Sequence, residues 1–190
     1  MNHSLFLQHL EEHQALCESV KSLEEAVNQA CLVIAAAVKA GGKIMLCGNG
    51  GSASDSQHIA AEFIGRFTKD REPISALALT TDTSVLTCVG NDYAFDQIFS
   101  RQVKGLGRQG DILIAISTSG NSANVINAVN QAKEQGIKTI GLLGRDGGAL
   151  AKSCDMSLVI PHQQTARIQE MHILIGHIIC HSVETHLGLV

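Results

Sequence analysis

The chain is 190 residues long, with a formal net charge of −4, 45% hydrophobic residues and 17% charged residues. That composition suits a folded domain with a sizeable core and excludes a disordered chain. With no basic cluster, 3% aromatics and no tryptophan, the sequence lacks the charge stripe and the stacking platforms of a nucleic-acid binder.

In chain order, residues 4–40 read as helix in two parts. Ser22-Leu23-Glu24-Glu25 has the spacing of a capping box and marks the break. The apolar run 30–38 in the second part is far shorter than the roughly 20 residues of a membrane span. The opening MNHSLFLQHLEEH has no basic region and turns acidic at once, so it does not read as a signal peptide. Gly41-Gly42 ends the helical segment. KIMLC (43–47) is a first strand, followed by glycines and a helix to about Arg66. ISALAL (74–79) is a second strand, with helical segments at 83–89 and 95–106 after it, separated by GNDYAF (90–95) as a polar turn. DILIAIS (111–117) is a third strand, followed by a helix ending at Gly136. KTIGLL (138–143) and MSLVI (156–160) are strands four and five, and 165–187 is a last helix. Short apolar strands alternating with helices predict a three-layer α/β/α sandwich around a five-stranded parallel sheet, a flavodoxin-like arrangement in a single domain spanning 1–190. The six cysteines, at 17, 31, 47, 88, 154 and 180, have no CxxC spacing and read as reduced thiols of a cytoplasmic protein.

Ligands of such sheets bind beyond the carboxyl ends of the strands, which directs attention to two loops. STSGNSAN (117–124) after strand three offers the hydroxyls of Ser117, Thr118, Ser119 and Ser122 at a helix N-terminus, a setting for an anion held by alcohols and amides. It lacks the lysine of a Walker loop, and the same residues also suit plain helix capping. GNGGSAS (48–54) after strand one brings Gly50 and Gly51 close to any ligand, with Asn49 and Ser52 able to bond sugar hydroxyls; a bare strand-to-helix turn is the alternative. On the next helix, His58 and Glu62 are one turn apart and share a face with Asp55 and Arg66, while Ile59, Phe63 and Phe67 are expected to turn into the core. The pair fits half a metal site, a catalytic base or a solvated polar face. On the last helix, Ile168, Met171, Ile175, Ile178 and Ile179 form an apolar side, and Gln169, His177 and Cys180 a mixed one, where His177 is a core or interface residue or a functional one. Asn91 and Asp92 either touch ligand or cap a helix.

Four long stretches in this order, CGNGGSASDSQHIAAEFIGRF, GNDYAFDQIFSRQV, GDILIAISTSGNSANVI and ARIQEMHILIGHIICHSVE, resemble the sugar-isomerase (SIS) domain family. Within it they resemble the branch that isomerises sedoheptulose 7-phosphate. The likeness runs from the N-terminal helices to His186. It implies a homotetramer with active sites at subunit interfaces, the N-terminal helices (1–40) serving assembly, and no nucleic-acid or membrane partner. It implies Asn49, Gly50, Gly51, Asn91 and Asp92 as substrate contacts, and Ser117, Thr118, Ser119 and Ser122 as the phosphate loop. His58, Glu62, Gln169 and His177 match ligands of one zinc ion per subunit, with Glu62 and Gln169 also at the substrate, and Glu62 and His177 as base and acid. The implied product is D-glycero-D-manno-heptose 7-phosphate, made through an enediol on the route to activated heptose for lipopolysaccharide or another glycan. A non-catalytic relative that binds the bacterial replication initiator lacks the glutamate matching Glu62. Gln169 and His177 are eight residues apart, a rise of about 12 Å on a straight helix. The expectation is therefore that one ion takes them from different subunits, or that the helix is distorted.

Overall fold

The computed structural model describes residues 4–190. Two helices come first, α1 (Leu5–Val20) and α2 (Glu24–Lys39), joined by a 3₁₀ turn over Lys21–Leu23. The break is where the sequence places it, but the capping box does not form: the Ser22 hydroxyl donates to Ser19 O, and no side chain caps α2. The chain runs on continuously through the turn, so no orphan donor is left for Ser22 to satisfy.

Five strands follow, β1 (Ile44–Cys47), β2 (Ala76–Ala78), β3 (Ile112–Ser117), β4 (Lys138–Gly144) and β5 (Met156–Ile160). They form one parallel sheet in the order β2-β1-β3-β4-β5. Helices α3 (Gly51–Ile64), α4 (Thr83–Asp92), α5 (Ser100–Leu106), α6 (Ala123–Glu134), the short α7 (Leu150–Ser153) and α8 (Thr165–His186) connect and flank the strands.

Successive side chains on a strand point to opposite faces, and the core divides accordingly. Ile44 and Leu46 of β1 with Ile112, Ile114 and Ile116 of β3 pack under α2, α3 and α8. Met45 and Cys47 with Leu113 and Ala115 pack under α4, α5 and α6. Such double coverage is why these strands are apolar at every position. The chain leaves β1 leftward to β2 and later leaves β3 rightward to β4. Right-handed crossovers then put α3 and α6 on opposite faces and open a crevice between the carboxyl ends of β1 and β3.

Several local expectations change. Gly90, Asn91 and Asp92 are the last turn of α4, not a turn before the next helix, because Tyr93 N still bonds to Val89 O. Cys180 is buried and Ile178 is exposed, since α8 is covered by the sheet, by α2 and by α3. Phe67 lies beyond the end of α3 yet, as expected, packs against the core, at its edge, where its ring also meets that of His177.

Candidate active site

The two loops flanking the crevice are tied together. Asn49, after β1, and Asn124, in the first turn of α6, exchange side-chain amide bonds of 2.9 and 2.8 Å. Asn124 is buried, so the pair is a fixed strut across the switch point. Its signal is present in STSGNSAN but is indistinguishable there from capping. Gly50 sits at φ +56°, the left-handed region open to glycine, as the chain turns into α3.

The hydroxyl loop is built on β3. Ser117 Oγ lies 3.0 Å from Ser122 Oγ and 3.5 Å from Ser119 Oγ, and accepts from Gly120 N at 3.1 Å. Ser119 Oγ accepts from Asn121 N at 3.1 Å. Ser122 occupies the N-cap position of α6 but makes no capping bond. Its oxygen turns toward Ser117, so the hydroxyls converge on the helix N-terminus. Ser52 is buried, with its Cβ close against Gly48 at the end of β1.

Helices α3 and α8 run parallel along a close seam. At its start, a Cβ on Gly51 would meet the Gln169 amide, 2.8 Å from Cδ. Two turns on, a Cβ on Gly176 would lie 2.5 Å from Ile59 Cδ1. Beside that contact three side chains converge: His58 Nε2 is 3.1 Å from Glu62 Oε1 and 3.3 Å from His177 Nε2. The three ligand atoms lie within 4.8 Å of one another. A tetrahedral zinc ion with bonds of about 2.0–2.1 Å places its donors about 3.3 Å apart. Two imidazoles and a carboxylate at these separations therefore fit a divalent ion of the zinc type. Two facing Nε2 atoms need a proton or a cation between them, which points the same way. The cluster is open in one chain, the side chain of His58 being 48% exposed.

Within one chain Gln169 stays with Gly51, about 10 Å along the seam from this cluster. Between them lies Asp55, whose Oδ2 is buried with no partner. Burial raises its carboxyl above the ordinary range, and neighbouring His58 offsets part of that. Asn91 and Asp92 are exposed at the end of α4 and bond to each other, with Cys88 Sγ donating to Asp92. The bond from Asn91, then that from Cys88, holds Asp92 below the usual carboxylate range.

The SIS domain family model matches residues 8–144 of this chain, leaving β5 and α8 beyond it. A phosphoheptose isomerase from a Nitratiruptor species is 54% identical over 183 residues, covering 94% of this chain and 98% of the relative. The structure of phosphoheptose isomerase GmhA from Neisseria gonorrhoeae superposes with a TM-score of 0.90 at 47% identity, covering 95% of this chain and 97% of that one. A phosphoheptose isomerase from Francisella tularensis gives 0.92 at 37% identity, with 95% and 96% covered. The sugar isomerase domain of an RpiR transcription factor from Sphaerobacter thermophilus, at 16% identity and a TM-score of 0.70, shares the fold alone. The chain belongs to the SIS-domain family and, within it, to the phosphoheptose isomerases.

Proposed function

We propose that this protein converts sedoheptulose 7-phosphate to D-glycero-D-manno-heptose 7-phosphate, the first step toward a nucleotide-activated heptose. The observation that carries the reading is the convergence of His58, Glu62 and His177 on one end of the α3–α8 seam. The presence of Glu62 also sets the chain apart from the initiator-binding relative.

The reaction moves two protons. Glu62 takes the proton from C1 of the ketose while O2 gains one, giving a cis-enediol, and then returns a proton to C2. His177 carries the other proton from O1 to O2, leaving the C1 aldehyde. Ser117, Thr118, Ser119 and Ser122, at the N-terminus of α6, hold the phosphate. Asn49, Gly50, Gly51, Ser52, Asn91 and Asp92 orient the sugar. His58, Glu62, His177 and Gln169 are the ligands of one zinc ion per subunit. When bound, zinc supplies Lewis acidity toward the substrate carbonyl. A carboxylate has two oxygens, so Glu62 can face the imidazole with one and accept a proton with the other.

The sites are shared between subunits of a cytoplasmic homotetramer. Exposed Phe6 and Leu10 on α1, Leu32 on α2, and Leu174 and Ile178 on α8 supply apolar surface for that assembly.

The test is to incubate purified protein with sedoheptulose 7-phosphate and follow the aldoheptose phosphate, with and without chelator. Conversion that chelator abolishes and zinc restores is the expected result; no conversion by the zinc-loaded protein sinks the reading. Glu62→Gln should cost at least ~10²-fold in kcat, and near-normal turnover would remove Glu62 as the base.

A further inference from the structure

We infer that the buried Arg71–Glu184 pair is a positioning unit that fixes Glu62 and the wall behind His177; the inference rests on the isomerase reading above. Arg71 lies in the run KDRE, which reads as a solvated loop. Its side chain is nevertheless 3% exposed, and that of Glu184 is 0% exposed. Taking two ions out of water costs desolvation of both, and well-packed apolar residues often serve stability as well. The geometry gives this pair another task.

Helix ends leave their last carbonyls without partners, and Glu62 and Phe63 belong to the last turn of α3. The Arg71 guanidinium fills that gap. Nη2 donates to Glu62 O at 2.8 Å, and Nη1 donates to Phe63 O at 2.7 Å and Gly65 O at 3.1 Å. Its Nε donates to Glu184 Oε1 at 2.7 Å. Glu184 also accepts from Phe67 N at 3.1 Å and from Thr68 Oγ1 at 3.2 Å. Apart from one bond to Glu72 O, the side-chain bonds of the pair to other residues all end on residues 62–68.

The consequence is local to the site. The backbone of Glu62 cannot fray although it is in the terminal turn. Phe67, anchored through its N–H, holds its ring 5.4 Å from the His177 ring and 6.1 Å from that of His181. Glu184 is two helical turns beyond His177 on α8, so the end of α3, the 65–72 segment and α8 move as one body. A lysine at 71 would keep the charge but could not span Glu62 O, Phe63 O and Glu184 together.

The test compares Arg71→Lys and Thr68→Val with the wild-type protein. Zinc affinity is read by competition with a chromogenic chelator, kcat and KM with sedoheptulose 7-phosphate, and folding by thermal melting. Arg71→Lys should lower kcat and zinc affinity each by ~10–100-fold, with KM within ~3-fold because the hydroxyl loop is untouched. Thr68→Val, which removes one part-buried bond to Glu184, should lower both by roughly 3-fold without loss of folding. A folded Arg71→Lys protein with kcat and zinc affinity within ~2-fold of wild type overturns the inference. Should Arg71→Lys not fold, an unchanged Thr68→Val protein overturns it instead. Failure of the isomerase reading would appear as wild-type protein without turnover. The positioning role is then decided by zinc affinity and by the His58–His177 separation in a crystal of Arg71→Lys.

Discussion

Mixing two inactive variants tests whether one site draws on two subunits. Helix α8 is unbroken from Thr165 to His186, so Gln169 and His177 are separated by about 12 Å of rise. Their surroundings agree: Gln169 lies against Gly51, and His177 against His58. Donors to one tetrahedral ion sit about 3.3 Å apart, a gap that no pair of side chains closes across two turns of one straight helix. Gln169→Ala and His177→Ala subunits carrying different tags should each assemble into an inactive protein. In particles mixed in equal parts, a site is complete when Gln169 comes from a His177→Ala subunit and His177 from a Gln169→Ala subunit. Random assortment makes that about one site in four, and removal of unmixed tetramers by the two-tag purification raises it to about 30%, so turnover should recover to about 30% of wild type. If both ligands belonged to one chain, no mixed site would be whole. The assay is heptose isomerisation by particles purified on both tags. Activity no greater than the sum of the two parents, in particles that contain both subunits, would refute the reasoning.

Two further outcomes follow from single positions. Gly51→Ala should lower kcat/KM by at least ~10-fold, because the new methyl occupies the space of the Gln169 amide. Its melting temperature should stay within a few degrees, since only the far end of a flexible side chain must move; unchanged kinetics would remove Gln169 from the site. His172, on the sheet side of α8, has 0% relative exposure, and its ring makes no well-formed hydrogen bond, only a looser approach to the Leu143 backbone. Burial depresses its pKa to about 4 from 6.5, with the nearby Leu143 backbone opposing weakly. The unfolded chain therefore takes a proton that the native ring refuses. The stabilisation is present above pH 6.5 and is lost as pH falls toward 4, roughly 3 kcal/mol in all. His172→Leu should flatten urea-unfolding stability across that window at fixed protein concentration; parallel curves for variant and wild type would refute it.

The sheet is legible in the sequence because its signal is local and redundant. The strands are apolar runs that end at turn-forming or polar residues, Gly48, Thr80, Ser117, Gly144 and Pro161, and a buried parallel strand requires no more. The ends of helices are less legible because they depend on partners elsewhere in the chain. Ser22 has the right spacing for a cap, yet it bonds backward to Ser19 in a continuous turn. Ser122 looks like a cap, yet it faces Ser117. In both, the same hydroxyl chemistry is compatible with two geometries that only the neighbouring backbone separates. Helical period assigns Phe67 to the core and Phe67 does pack there, but through the segment that follows α3, since the helix stops at Gly65.

The pairing of His58 with Glu62 is readable from a four-residue spacing, whereas their meeting with His177 is not, since no periodicity relates residues 119 apart. What creates that contact is the parallel run of α3 and α8, and the run depends on two glycines, Gly51 under Gln169 and Gly176 under Ile59. A side chain at Gly176 would run into the buried Ile59, and one at Gly51 would displace the Gln169 amide, while the 3.3 Å between His58 and His177 across the seam leaves little slack for the helices to part. The small residues of the seam therefore do as much to build the site as the imidazoles and the carboxylate. Helix α8 is where this dependence concentrates: Gln169, Gly176, His177 and Glu184 each serve the seam, the ion or the end of α3, although they are spaced along 16 residues that read, in sequence, as one amphipathic helix.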